Sequence, residues 1–171
     1  MDYSLSMRIL GIDPGLATIG LGLVTCTSRH DVCAEDWLTI ETKSGLPLPQ
    51  RLREIQTDLT AFLTESVPDL VVIERLFFAK NQTTAFDVAH ARGVIVCTVA
   101  MQDIPLLEPT PMELKSAVTG DGSADKRQIQ TMLMHLLKLD APPSPDDAAD
   151  ALALALYGAY TQHTATIITH A

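Results

Sequence analysis

Several carboxylates of this chain stand at the ends of apolar stretches, where they could act together. Asp13 closes MRILGID, Glu74 closes LVVIE, and SPDDAAD leads into ALALALYGAY, a run otherwise suited to burial. Taken singly, Asp13 reads as readily as a solvated acid at a turn, since loops are normally polar. Glu74 is less ordinary, because four apolar residues lead straight into it. In the third stretch Ser144 suits an N-cap, Pro145 the first helical position, and Asp147 the capping-box acid three residues on. Acids there also favour the positive end of a helix dipole. That accounts for Asp146 and Asp147 but not for Asp150, which follows the first turn among Ala148, Ala149, Ala151, Leu152 and Leu154. A carboxylate on the inner face of an apolar helix is costly unless it is paired or bound to a metal. Asp147 and Asp150 share a helix face, and so do Asp146 and Asp150, so spacing leaves both pairs open.

If the strands ending in Asp13 and Glu74 are neighbours and this helix packs at the same sheet edge, three or four carboxylates converge. Mutual repulsion then raises their pKa values, and divalent cations relieve it. An all-oxygen donor set suits Mg²⁺ or Mn²⁺ rather than zinc. Two such ions about 4 Å apart can activate a water and stabilise the leaving oxygen of a phosphodiester displacement.

The elements that must position these acids are legible in outline. MRILGID and IGLGLVTC are short apolar runs separated by Pro14-Gly15, and DWLTIET alternates, so the chain opens as an antiparallel meander. Leu52, Ile55, Leu59, Phe62 and Leu63 mark an amphipathic helix beginning near Pro49. LVVIE reads as a central strand covered on both faces. Residues 83 to about 101 are apolar on most sides and are expected as a buried helix. PLLEP is a brief strand, MELKSAV a short helix, and TGDGSA a loop before Asp125, which can cap KRQIQTMLMHLLK. LDAPPSP turns into the final helix. Strands first, then alternating strands and helices, predict an α/β fold around a mixed sheet. One domain over 7–161 is expected, with mobile termini at 1–6 and 162–171.

Composition narrows the class. The chain is 47% hydrophobic and 19% charged, as an ordinary globular domain is. No apolar run reaches the roughly 18 residues of a membrane helix, and MDYSLSMR lacks the basic start and apolar middle of a signal peptide, so a cytoplasmic protein without a membrane partner is expected. Cys26, Cys33 and Cys97 form no CxxC pair, which argues against a disulfide framework or a cysteine zinc site and for buried, reduced thiols. His30, His90, His135, His163 and His170 are scattered without ligand spacing. The formal net charge of -9 argues against a general charge-driven grip on nucleic acid.

GIDPGLATIG, VVIERLFFAKNQTTAFDVAHARG, GSADKRQIQTML and DDAADALALA, in that order and at these separations, resemble RuvC, the family of bacterial Holliday-junction endonucleases. The likeness covers Met7 to about Tyr160. It implies an RNase H-like fold with a mixed five-stranded sheet flanked by helices. It also implies a homodimer that cuts two strands of a four-way DNA junction symmetrically in recombination and repair, two Mg²⁺ per active site with Mn²⁺ able to substitute, and branch-migration proteins of the RuvAB type as partners. Asp13, Glu74, Asp147 and Asp150 fall on the family's catalytic, metal-binding acids, which favours Asp147 over Asp146. Phe77 falls on the aromatic that stacks at the crossover; such stacking is worth about 1 to 3 kcal/mol. Lys115 and Lys126 match positions that hold DNA phosphates, although a lysine is by itself more often a solvated surface charge. Arg75, Lys80 and Arg127 are DNA-binding candidates from their nearness to the motifs. The glycines of GDGSADK flank a helix start whose N–H groups can receive a phosphate. His90 and Arg92 lie on the helix where the family's dimer interface forms.

Two bound divalent ions would bring the formal charge from -9 to -5, so DNA binding must rest on a local basic strip. An actin-like ATPase opens in a similar way but duplicates the fold, and this length holds one copy. A non-catalytic junction-binding protein would leave the four acids without a purpose.

Overall fold

The computed structural model describes residues 6–28, 31–75 and 82–169, with the backbone alone at 82–84 and 163–169. The order is β1 (Met7–Asp13), β2 (Thr18–Ser28), β3 (Asp31–Glu41), α1 (Leu48–Ser66), β4 (Leu70–Ile73), α2 (Gln82–Ala100), β5 (Leu106–Leu107), α3 (Pro111–Thr119), α4 (Lys126–Leu136) and α5 (Asp146–Thr169). The strands form one mixed sheet ordered β3-β2-β1-β4-β5. The meander β1-β2-β3 is antiparallel, whereas β4 runs parallel to both β1 and β5.

Alternation along the central strands divides the core in two. Ile9, Leu70 and Val72 point to the face covered by α3, α4 and α5, while Leu10, Ile12, Val71 and Ile73 point to α1 and α2. Every residue of β4 is buried, as its continuous apolar run requires of a strand covered on both sides. On α1 the buried residues are Ile55, Leu59, Leu63 and Ser66, the stripe expected of an amphipathic helix.

Glycine sets how closely α5 approaches the sheet. A Cβ at Gly11 would fall on the carbonyl oxygen of Ala151, and one at Gly20 on that of Asp147. The backbone of α5 therefore lies directly on β1 and β2, closer than any side chain would permit. This contact fixes the depth at which the acids at the start of α5 meet the ends of the strands.

Local rules hold at two helix starts. Thr110 and Glu113 form a capping box at α3, and Asp125 and Gln128 form another at α4. At α5 the helix opens one residue later than the Ser144 cap predicts: the carbonyl of Pro145 accepts from Ala148 and Ala149. It also continues to Thr169, past the point at Tyr160 where periodicity fades. Extending an existing helix needs only one further hydrogen bond per residue fixed, so no apolar stripe is required.

Two expectations are corrected. Among the described side chains of α2 the buried ones are Ala91, Ile95, Thr98 and Val99; Phe86, Gly93 and Cys97 lie on an open side. An apolar helix covered by one layer hides one stripe, whatever its remaining sides carry. Among the cysteines Cys26 is buried, whereas Cys97 on the open side of α2 and Cys33 on the edge strand β3 are exposed. The thiols are free, as their spacing suggested.

Candidate active site

Register brings the first two acids together. Ile12 pairs with Ile73 across the parallel β1–β4 ladder, so the next residues, Asp13 at the end of β1 and Glu74 just beyond β4, stand side by side. The helix α5, seated on Gly11 and Gly20, carries Asp147 and Asp150 to the same edge. A cleft of about 210 Å³ opens there, lined by Asp13, Glu74, Asp150, Lys115 and Lys126 over an apolar floor that includes Leu114, Ile129 and Leu154. Asp147, half-buried, flanks this group and acts electrostatically on both Asp13 and Asp150.

The electrostatics are those of crowded acids. Burial first, then the charges of Asp150, Asp147 and Glu74, push the Asp13 carboxyl up to about 7, with Lys126 opposing. Glu74 is raised by burial and by Asp150, against Lys115. Asp150 is raised by burial and by its acidic neighbours, although Lys126 donates to its Oδ2 at 3.1 Å and works against the shift. Burial disfavours the charge of Lys126, but its bonds to Asp150 and Asp146 outweigh that and hold its pKa above the usual lysine value. Two ammonium groups, Lys115 and Lys126, among Asp13, Glu74, Asp147 and Asp150 leave negative charge uncompensated, and hard cations with oxygen ligands suit that environment. Among the described residues no group of three or more acidic, His or Cys side chains forms a ready-made metal cage. The acids converge on the cleft without closing around one point.

Asp146 and Asp147 both act on Asp150 but are placed differently. Asp147 belongs to the field around Asp13, whereas Asp146 turns outward, its side chain 70% exposed, and meets Lys126 at 3.3 Å and Gln130 at 3.4 Å. Lys115 and Lys126 both line the cleft. Arg127 faces a separate groove with Asp121, Asp125 and Thr131, away from the acids. Arg75 is exposed, and its backbone N–H donates to Pro109 at 2.8 Å. In GDGSADK the Gln128 N–H is already taken by the Asp125 carboxylate, which occupies part of the helix start. Phe77 and Lys80 lie outside the described residues, as do His30 and His170.

Sequence reasoning missed what Arg92 does. Its Nε donates to the backbone oxygen of Glu74 at 3.2 Å and its guanidinium pairs with Glu108 at 2.5 Å, so it is engaged within the chain, beside the acid cluster. The available signal was a lone arginine between Ala91 and Gly93 in an apolar helix, a charge that needs a partner there.

A mixed sheet with a parallel centre, two acids at adjacent strand ends and two more on a helix laid across the sheet define an RNase H-like domain of the metal-dependent nuclease class. The chain belongs to the RuvC family: the model for crossover junction endodeoxyribonuclease RuvC matches residues 9–158. It is 47% identical over 150 residues to a crossover junction endodeoxyribonuclease RuvC of Brevibacillus brevis, covering 88% of this chain and 90% of that protein. The RuvC of Thermus thermophilus, solved in complex with a Holliday junction substrate, is similar with a TM-score of 0.88 at 29% identity, over 94% of this chain and 97% of that one. The yeast mitochondrial Holliday junction resolvase Ydc2 shares the fold, with a TM-score of 0.69 at 15% identity over 95% of this chain and 81% of that one.

Proposed function

We propose that this chain is a structure-selective endonuclease that resolves four-way DNA junctions by paired symmetric nicks, in recombination and DNA repair. The observation that carries the reading is the convergence of Asp13, Glu74 and Asp150 on one cleft that also holds Lys115 and Lys126, with Asp147 beside them acting on Asp13, in a chain of the RuvC family.

Asp13, Glu74, Asp147 and Asp150 would hold the metal, two Mg²⁺ per site with Mn²⁺ able to replace them. All offer carboxylate oxygens, and the repulsion that raises Asp13, Glu74 and Asp150 is what a divalent ion relieves. The bound ions supply an activated water and neutralise the charge that develops on the leaving oxygen. Lys115 and Lys126 receive the phosphate backbone at the mouth of the cleft, which gives an acidic protein its local positive surface. Leu114, Ile129 and Leu154 line the cleft with apolar surface, which lowers the local dielectric and strengthens the interactions among its charges. Hydrolysis leaves 5′-phosphate and 3′-hydroxyl ends.

Paired cuts require two clefts, hence a homodimer; the open apolar side of α2 around Phe86 and Gly93 supports that reading. Phe77 stacks on an unpaired base at the crossover, with Arg75, Lys80 and Arg127 as further phosphate contacts. Branch-migration proteins of the RuvAB type would deliver the junction in the cytoplasm. Among the described residues no helix is long and apolar enough to cross a membrane.

The test is cleavage of a synthetic four-way junction beside linear duplex and single strand, with Mg²⁺, with Mn²⁺ and with EDTA. Metal-dependent paired nicks on the junction alone support the reading. Binding without cleavage under any metal moves the chain to the class of junction-binding proteins.

A further inference from the structure

The β4 ladder stops one residue short of the acid it presents. The last register partners are Ile73 with Ile12 on one side and Val72 with Leu107 on the other, so the Glu74 backbone lies outside the sheet's regular pairing. Its carbonyl oxygen is taken instead by Arg92, which reaches across from α2 with Nε at 3.2 Å. The same guanidinium is fixed by Glu108, the residue that follows β5, at 2.5 Å. The next amide, that of Arg75, donates to Pro109 at 2.8 Å. Glu74 is thus bracketed by two contacts that both lead to the segment 108–109. From there Thr110 caps α3, the helix that carries Lys115 to the cleft.

We propose that Arg92, held by Glu108, is a positioning residue for Glu74: it completes the end of β4 and aims the Glu74 carboxylate into the cleft. The inference rests on the reading of Glu74 as a metal ligand and adds the group that orients it. Arginine suits the task because its planar fork donates from Nε and from a terminal nitrogen in fixed, separate directions. A lysine carries the same charge on one nitrogen and cannot repeat that geometry. The Arg92 side chain is only 17% exposed, so the pair with Glu108 is less screened than an ordinary surface ion pair. The position of Arg92 on α2 also gives that helix two separate duties, an internal clamp here and an open apolar side elsewhere.

The experiment uses the full chain in four variants: Arg92→Met, Arg92→Lys, Glu108→Gln and Glu74→Gln. Hydrogen exchange is followed without metal, Mn²⁺ binding by calorimetry, and junction binding in EDTA. The expected result for Arg92→Met is faster exchange at the Arg75 amide with β1 amides unchanged. Mn²⁺ affinity should fall about 10- to 100-fold, the usual cost of removing a group that orients a ligand. Junction binding in EDTA should stay within about twofold, because the phosphate contacts are elsewhere. Arg92→Lys should resemble Arg92→Met, and Glu108→Gln should show the same pattern more weakly. Cleavage by these variants should recover as Mn²⁺ is raised. Unchanged Mn²⁺ affinity and Arg75 exchange in the Arg92 variants, while Glu74→Gln loses metal binding, would overturn the inference and leave the proposed site intact. If Glu74→Gln itself binds Mn²⁺ and cleaves like the parent, the assignment of Glu74 falls and the inference falls with it. Should Arg92→Met fail to fold, Glu108→Gln decides alone, since Glu108 lies at the surface.

Discussion

Asp13 and Glu74 stand side by side at the ends of β1 and β4 because Ile12 and Ile73 are register partners in a parallel ladder. Two acids in that arrangement cannot ionise independently, and burial adds to the cost. The Asp13 carboxyl is accordingly pushed from 3.8 up to about 7, chiefly by burial and then by Asp150, Asp147 and Glu74.

A pH dependence follows for the metal-free protein. Between about pH 4 and 7 the folded state holds a proton on Asp13 that the unfolded state has lost, so stability falls as pH rises through this window. The contribution is on the order of a few kcal/mol, at about 1.4 kcal/mol per pKa unit. Urea unfolding in EDTA from pH 4.5 to 8 should show this decline, and Asp13→Asn should reduce it, leaving the smaller part that the raised Glu74 and Asp150 carboxyls contribute. Adding Mg²⁺ at pH 7.5 should restore stability to the parent and much less to the variant.

Asp147→Asn and Asp146→Asn should behave differently. Asp147 lies in the field of Asp13, whereas Asp146 faces outward to Lys126 and Gln130. Junction cleavage should drop roughly a hundredfold or more for Asp147→Asn, which corresponds to about 3 kcal/mol or more of lost transition-state stabilisation. For Asp146→Asn it should stay within about threefold, the scale of an exposed ion pair. Single-turnover cleavage with binding measured in parallel checks both, and equal losses would reverse the placement of the two aspartates.

Lys126→Met should weaken junction binding and reduce the slope of log affinity against log salt by about 1, as expected for one lost phosphate contact. Arg127→Met, which alters the neighbouring groove, should change the slope less. Titrations at several salt concentrations distinguish the two residues.

Gly20→Ala should be costly in an informative way. Its new methyl would fall on the Asp147 carbonyl oxygen, so α5 must shift where it carries the acids. Overpacking of this kind costs about 1 to 3 kcal/mol or more. Cleavage should fall further than the loss of folded protein explains, because the same shift displaces Asp147. Gly45→Ala, with open space around it, serves as the neutral control.

Much of this was readable along the chain. Asp125 caps α4, the continuous apolar run of β4 placed a central strand leading to Glu74, and the family motifs selected Asp13, Glu74, Asp147 and Asp150. These features depend on residues near one another in sequence, where spacing alone states the physics. Other features depend on which surfaces meet. The β1–β4 register, the seating of α5 on Gly11 and Gly20, and the outward turn of Asp146 are decided by packing. So are the open side of α2, which its apolar composition concealed, and the exposure of Cys33 and Cys97. The Arg92 clamp belongs to the same group: an arginine on one helix, a carbonyl beyond a strand and a glutamate after another strand meet only once the sheet has assembled. Sequence by itself determined the kinds of groups available and their local elements; the tertiary structure decided which of them share a cleft, because burial and charge act between neighbours in space.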